Sequence, residues 1–151
     1  MNYVSLFISM ITIWIAVIAG LYQRIFQMPK WFENPPASFE RIRRQSKKAR
    51  AFWIPLSVLF ILSTVMAYFL NTQSEDVRKH ILGGLLCFGL TGILSAAYFV
   101  KEILAFTRIP VEAAQTAELL QRTKTWLRWT MIRDILQVLA ALFVTIAYRH
   151  A

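Results

Sequence analysis

The sequence predicts an all-α integral membrane protein, a bundle of four transmembrane helices in up-down order. Of its 151 residues, 57% are hydrophobic and only 17% are charged, which is too apolar for an ordinary water-soluble domain of this length. The apolar residues concentrate in four long windows, each close to the roughly 20 residues with which a helix crosses the hydrocarbon core. Because the connectors are short and leave no separate globular catalytic domain, we predict a single membrane domain over residues 1–151.

The first two predicted spans cover residues 3–28 and 51–70. In the first span no basic residue precedes Arg24, and Pro29 ends the helix. A cleavable signal peptide has a basic start and a shorter apolar core, so we expect this segment to remain as a span. The second span carries Pro55 in its first turn, where the missing N–H costs little.

The third and fourth predicted spans cover residues 80–106 and 126–148. The third contains glycines, and small residues favour close packing between membrane helices. They also permit a homo-oligomer. The fourth span is long enough to cross the bilayer, but charged and amide residues occupy its first half, so only its second half is cleanly apolar.

Basic residues are distributed unevenly between the two sides of the predicted bundle. Of the 17 Lys and Arg residues, eight lie in the first connector and its flank, six beside the third connector and three on the opposite side. Since positive charge marks the cytoplasmic side, we expect a cytoplasmic (inner or plasma) membrane location with both termini outside the cytoplasm. The basic residues that give the chain its net charge of +9 flank the apolar spans and do not cover a soluble face. A membrane surface is therefore favoured over nucleic acid as the partner.

The connector between the first two spans is the longest, and its second half is strongly basic. Residues 38–50 have basic side chains at helical spacing and predict an interfacial helix that lies along the membrane surface. Anionic lipid is the expected partner of this segment, and a partner protein is the alternative. The predicted lipid contacts are Arg43, Arg44, Lys47 and Lys48.

Polar side chains recur at helical spacing on the cytoplasmic halves of three predicted spans. Ionisable groups at membrane depth are costly, and they mark a functional or structurally paired site that faces protein. We predict that Glu102 pairs with Arg133 in a cytoplasmic-side pocket, whose aromatic and amide groups orient a small aromatic or quinone-like molecule. The candidate catalytic residues are Arg133, Glu102 and Tyr98. The candidate substrate-binding residues are Gln23, Trp126, Trp129, Thr130, Asp134 and Gln137.

The same polar groups also fit two functions without catalysis. A buried ion pair can serve only to join helices, and residues near the interface can extend their polar ends into water. The protein would then be a non-enzymatic membrane subunit or scaffold. A small transporter is disfavoured, because proton coupling needs an ionisable residue near the bilayer midplane and these residues lie toward one end.

The residue types that hold metals or redox centres are sparse. Cys87 is the single cysteine, so an intramolecular disulfide and a thiolate metal cage are both excluded. The two histidines, His80 and His150, lack the neighbouring ligand cluster that zinc or non-haem iron requires. The chain also lacks a phosphate-binding glycine motif. We therefore expect neither a metal nor a cofactor.

Three short motifs follow one another in a characteristic order: Ala19–Tyr22 at the end of the first helix, the break at Pro29–Trp31, and Trp126–Arg133 at the start of the fourth helix. Together with the aromatic residues at the start of the second helix, these motifs resemble the anthrone oxygenase-like family of small four-helix membrane proteins. The resemblance implies oxidation of an anthrone to an anthraquinone by dioxygen, without an established metal or flavin. Arg133 is then the candidate group that stabilises a phenolate. The positions that match the family are Gly20, Pro29, Trp126 and Arg133.

This chain departs from the family at the end of its first helix. Gln23 stands where members often have an acidic or other polar residue. An amide cannot accept a proton as a carboxylate does, so the departure argues against a carboxylate base at this position.

Overall fold

The computed structural model describes residues 3–151, and its 87% helix content confirms the all-α prediction. Residues 1 and 2 of the predicted domain lie outside the described residues. Four of the described helices are long and apolar enough to cross a membrane, which confirms the prediction of four potential spans. They extend past the predicted limits of those spans. Their bounds are Tyr3–Trp31 (α1), Phe39–Leu70 (α2), Glu75–Arg108 (α3) and Ala117–His150 (α4).

The basic segment forms the start of α2. This helix is continuous over its 32 residues, so the prediction of a separate interfacial helix over residues 38–50 is wrong. The reason lies in the junction: no Gly or Pro interrupts residues 47–54, and these residues include several strong helix formers. Glu40 also pairs with Arg43 and Arg44 at i+3 and i+4, which supports the exposed first turns.

Side-chain caps fix the starts of α3 and α4. The Ser74 hydroxyl accepts a hydrogen bond from the Val77 N–H, and the Thr116 hydroxyl accepts one from the Leu119 N–H at 3.1 Å. Acidic residues in both first turns complement the positive end of the helix dipole. These caps set where each helix begins and therefore which residues of α3 and α4 lie at the same level.

Buried residues form three clusters along the bundle. One cluster joins the start of α1 and α3 to the end of α2 and α4, through Leu6, Ala67, Val77 and Ala147. A second cluster occupies the middle of α1, α2 and α4. The third lies at the opposite end, which we call the basic end, and it is built mainly from aromatic and large apolar side chains: Met28, Trp31, Phe39, Ile42, Phe99, Phe106, Leu119 and Trp126.

Glycines bring α3 close to α4 over part of its length. A Cβ atom added at Gly84 would lie 2.8 Å from Cγ2 of Val144, and one at Gly83 would lie 2.9 Å from Cδ1 of Phe143. At Gly89 a Cβ would meet nothing within 4 Å among the described residues. Close helix packing therefore depends on the first two glycines of this helix.

Candidate functional site

Two helices contain a π-helical turn at the basic end. The turns cover Gln23–Gln27 in α1 and Ser95–Phe99 in α3. Such turns are rare and often occur at functional sites. Here the first turn includes Arg24 and the second includes Tyr98.

Asp134 of α4 lies between two arginines. Its Oδ1 accepts a hydrogen bond from Nη2 of Arg133 at 3.2 Å, and its Oδ2 accepts one from Nη1 of Arg24 at 3.5 Å. The Asp134 side chain is only 6% exposed and that of Arg133 only 13%. Gly20 allows the side chain of Gln137 to approach α1 closely beside this group, since a Cβ at Gly20 would lie 3.1 Å from Oε1 of Gln137. The group therefore joins α1 to α4 and satisfies the buried carboxylate.

Arg133 also contacts an aromatic ring of α3. Its guanidinium carbon lies 5.2 Å from the centroid of the Phe99 ring, within range of a cation–π interaction. The Nε of Arg133 and the indole nitrogen of Trp126 are buried without a hydrogen-bond partner among residues 3–151. Arg133 is thus held by one carboxylate and one ring.

Glu102 pairs with Arg122, so the predicted pair between Glu102 and Arg133 is wrong. Both carboxylate oxygens of Glu102 accept hydrogen bonds from the Arg122 guanidinium, at 3.1 to 3.2 Å. Because α4 begins at Ala117, well before the predicted span, Arg122 lies level with the end of α3. Arg133 lies three turns further along α4, about 16 Å away at 1.5 Å per residue.

At the basic end, Tyr98 of α3 contacts the two predicted tryptophans of α4. The ring centroid of Tyr98 lies 6.2 Å from that of Trp126 and 6.0 Å from that of Trp129. The buried Thr130 hydroxyl donates to the carbonyl of Trp126 in its own helix. The three candidate catalytic residues therefore have separate partners: Asp134 for Arg133, Arg122 for Glu102, and two tryptophans for Tyr98.

A groove of about 640 Å³ lies between α1 and α2 at the basic end. Ile18, one of its lining residues, is 65% exposed, so the groove opens to the side of the bundle where lipid would lie. Its wall is apolar and aromatic, formed by Ile15, Ile18, Ala19, Tyr22, Ala49, Phe52 and Trp53. Its rim is polar, formed by Gln23, Gln27, Gln45 and Lys48.

Three amides surround the rim of this groove. Oε1 of Gln45 accepts a hydrogen bond from the Trp31 indole N–H at 2.8 Å, which fixes the orientation of that amide. Among residues 3–151, no side-chain hydrogen bond uses the NH₂ group of Gln45 or the amides of Gln23 and Gln27. Each amide carries donors as well as an acceptor, so the rim can hydrogen-bond the head of a molecule whose body lies in the groove.

Trp53 separates the groove from the interior of the bundle. Its side chain lines the groove on one side and a small internal cavity on the other. Gln137 of α4 lines that cavity together with residues of α1, α2 and α3. Gln137, predicted to bind substrate, therefore lies behind Trp53 and outside the groove.

A second recess, of about 750 Å³, adjoins the groove at the turn between α1 and α2. The two share Gln45. Arg41 is held in the recess because its Nη1 donates to a Glu33 carboxylate oxygen at 2.9 Å and to the Lys30 carbonyl at 3.0 Å. The recess is lined by Pro29, Lys30, Glu33, Arg41, Arg44 and Gln45.

The four predicted lipid contacts lie in different surroundings. Arg44 lines the recess, Lys48 lines the groove and Lys47 is exposed. Arg43 points to the end of α3, where its guanidinium donates to the carbonyls of Thr107 and Ile109. Arg43 therefore links α2 to the connector that follows α3.

Sequence reasoning missed several residues of the groove and the recess. Lys30 and Arg41 belong to the recess because the turn over residues 32–38 brings the end of α1 beside the start of α2. Charge in the connector was a visible signal, but it does not specify which cations share one hollow. Gln23 was predicted as a ligand contact and does line the groove.

The chain matches no family model, no curated protein and no solved structure. The resemblance to the anthrone oxygenase-like family therefore stays a prediction. Of the positions that carried it, Gly20 lies beside Gln137, Arg133 pairs with Asp134, Trp126 lies in the buried cluster at the basic end and Pro29 lines the recess.

Proposed function

We propose that this protein is a multi-pass membrane protein that binds a lipophilic molecule with a polar head in the groove between α1 and α2. One observation carries the proposal: an apolar groove open to the side of the bundle ends at a polar rim, where the amides of Gln23 and Gln27 lack side-chain partners among residues 3–151. Pockets with apolar walls and a few polar groups that fix orientation are typical of small-molecule sites.

We place the basic end at the cytoplasmic face of a cytoplasmic membrane, with the helices in up-down order and both termini outside. Support comes from the cluster of Leu6, Ala67, Val77 and Ala147, which gathers alternate helix ends at the opposite end of the bundle. The concentration of Lys and Arg at the basic end supports the orientation. In this arrangement the head of the ligand lies near the cytoplasmic surface.

A quinone or phenol ring, the class predicted from the sequence, is compatible with the groove. Tyr22, Phe52 and Trp53 offer aromatic faces, and the rim amides can donate to ring carbonyls. Arg133 lies on the α4 side, paired with Asp134, so the groove does not support oxygenase chemistry at this residue. The Asp134 group is better explained as a helix contact, as in the scaffold alternative, and anthrone oxidation stays a prediction.

Photo-crosslinking in nanodiscs tests the binding proposal. The probe is a neutral quinone whose alkyl chain carries a diazirine, and mass spectrometry locates the labelled residues. We expect labels on residues 15–27 and 45–53, and about a tenfold loss of labelling, or about 1.4 kcal/mol, when Ala19→Trp fills the groove. Leu90→Trp on the exposed face of α3 is the matched control. Labelling spread evenly over the exposed faces of all four helices would refute the proposal.

The oxygenase prediction is tested on the same preparation with anthrone and dioxygen. The reaction gives anthraquinone and water, so oxygen uptake and anthraquinone formation are measured together. Uptake that is lost in Arg133→Gln while the variant remains folded would support the predicted role of Arg133. With no uptake above that of empty nanodiscs, binding alone remains as the proposed function.

A further inference from the structure

We infer that the groove and the adjoining recess together bind one anionic phospholipid, with an acyl chain in the groove and the phosphate in the recess. The inference rests on the proposed function and names the ligand class of that same site. The groove and the recess lie side by side, because Gln45 lines both. A ligand that fills both must therefore have an apolar part toward Ile18 and a polar part toward Arg44.

The charge of the recess selects an anionic head. Lys30, Arg41 and Arg44 line it against one carboxylate, Glu33, and Lys48 adds a fourth cation at the rim of the groove. A quinone or another neutral head leaves this excess positive charge without a partner. A phosphate diester carries one negative charge and oxygens that accept hydrogen bonds from ammonium and guanidinium groups.

The cations of the recess remain accessible to such a ligand. Arg44 is bonded to Glu40 at 3.3 Å, but its side chain is 77% exposed. Arg41 uses Nη1 for both of its contacts, to Glu33 and to the Lys30 carbonyl. Ion pairs this exposed are weak and exchange readily, so a phosphate can compete for both guanidinium groups.

The lateral opening of the groove identifies a membrane lipid as the source of the phosphate. Ile15, Ile18 and Phe52 line the groove and are exposed on the apolar surface of the bundle. A lipid of the adjoining leaflet can therefore place one chain against this wall without leaving the bilayer. A soluble phosphate would use the recess alone and gain nothing from the groove.

Native mass spectrometry of the full chain tests the inference with two lipids of identical acyl chains, phosphatidylglycerol and phosphatidylcholine. We expect about a tenfold preference for phosphatidylglycerol, which corresponds to about 1.4 kcal/mol. The preference should disappear in the variant Lys30→Gln/Arg41→Gln/Arg44→Gln. The matched control is Lys101→Gln/Lys124→Gln/Arg128→Gln, which removes the same charge from exposed positions outside the two hollows.

The outcomes separate the two proposals. Equal loss of preference in both triple variants would show a general surface charge effect and overturn the inference. Full competition by glycerol phosphate would overturn the commitment to a lipid.

If the neutral quinone probe still labels the groove and Ala19→Trp still blocks it while no lipid preference exists, only this inference fails. If Ala19→Trp reduces neither the labelling by the quinone probe nor the binding of phosphatidylglycerol, the proposed function fails as well. Thermal unfolding of each variant in detergent confirms that the comparison is between folded proteins.

Discussion

At the basic end, the polar groups on the two sides of α1 have different surroundings. Toward α4, Arg24 meets a buried carboxylate, Asp134, which is also bonded to Arg133. Toward α2, the amides of Gln23 and Gln27 line an open groove without side-chain partners among the described residues. Polar groups that are paired and buried join helices, whereas polar groups beside an open apolar wall are available to a ligand. We therefore expect the α4 side of this helix to contribute to stability and the α2 side to binding.

The largest expected effect comes from breaking the paired side. Asp134→Asn leaves Arg133 without its buried counter-charge, and we expect a loss of about 3 kcal/mol in the free energy of unfolding, as for other broken buried pairs. Equilibrium unfolding in mixed detergent micelles measures it. Gln27→Leu, on the groove side, is the control and should leave the stability unchanged. An Asn variant as stable as the parent would mean that this group does not hold α1 to α4.

The glycines of α3 allow a similar comparison within one helix. Gly84→Ala places a Cβ atom 2.8 Å from Cγ2 of Val144, and we expect overpacking to cost about 1–3 kcal/mol. Gly89→Ala meets nothing within 4 Å among the described residues and should gain up to about 1 kcal/mol from helix propensity. Thermal unfolding of both variants gives the sign of each effect. Equal effects would show that α3 and α4 are not in close contact at Gly84.

Two adjacent arginines of α2 sharpen the comparison at the level of single side chains. Arg43→Gln removes two hydrogen bonds to the carbonyls of Thr107 and Ile109, and we expect a loss of about 1.5 kcal/mol. The connector over residues 109–116 should then be cleaved faster by added protease. Arg44→Gln should leave cleavage unchanged and weaken only the binding of anionic lipid. The reverse pattern would contradict the roles assigned to both residues.

The smallest expected effect is that of a single hydrogen bond between α1 and α4. The indole N–H of Trp14 donates to the Thr145 hydroxyl at 3.0 Å. Trp14→Phe removes this bond and should cost about 0.6 kcal/mol, the average for hydrogen bonds between membrane helices. Detergent unfolding measures the change, with Trp129→Phe on an exposed face as the control. If Trp14→Phe lowered the free energy of unfolding as much as Asp134→Asn does, the ion pair would contribute no more than a single hydrogen bond on this side of α1.

The fold could be predicted because four apolar windows of spanning length leave few alternatives. The positions of the helix ends were predicted less accurately. Hydropathy marks where a helix leaves the hydrocarbon core, but α2 and α4 continue into charged sequence as far as Phe39 and Ala117. Local helix propensity and the Thr116 cap determine those ends, and neither changes the apolar pattern.

Helical spacing put Tyr98, Glu102 and Arg133 into one candidate site, but it could not predict their partners. The pairing depends on how α3 and α4 are aligned. The connector over residues 109–116 and the start of α4 set that alignment, so Glu102 reached Arg122 and not Arg133. The groove depends on how far α1 and α2 diverge beside Trp53, a distance that no spacing within a single helix encodes.

The π-helical turn at Gln23–Gln27 has a consequence for how α1 tolerates insertions and deletions. Such a turn holds one residue more than the α-helix requires. Deleting Ile25 would restore a regular α-helix while the residues before and after the turn keep their relative phase. Arg24 would still face Asp134, and Trp31 would still face Gln45. In a regular part of α1 the same deletion would rotate all following residues by about 100°. The turn is therefore a position at which α1 can lose one residue and keep both the ion pair on one side and the shape of the groove on the other.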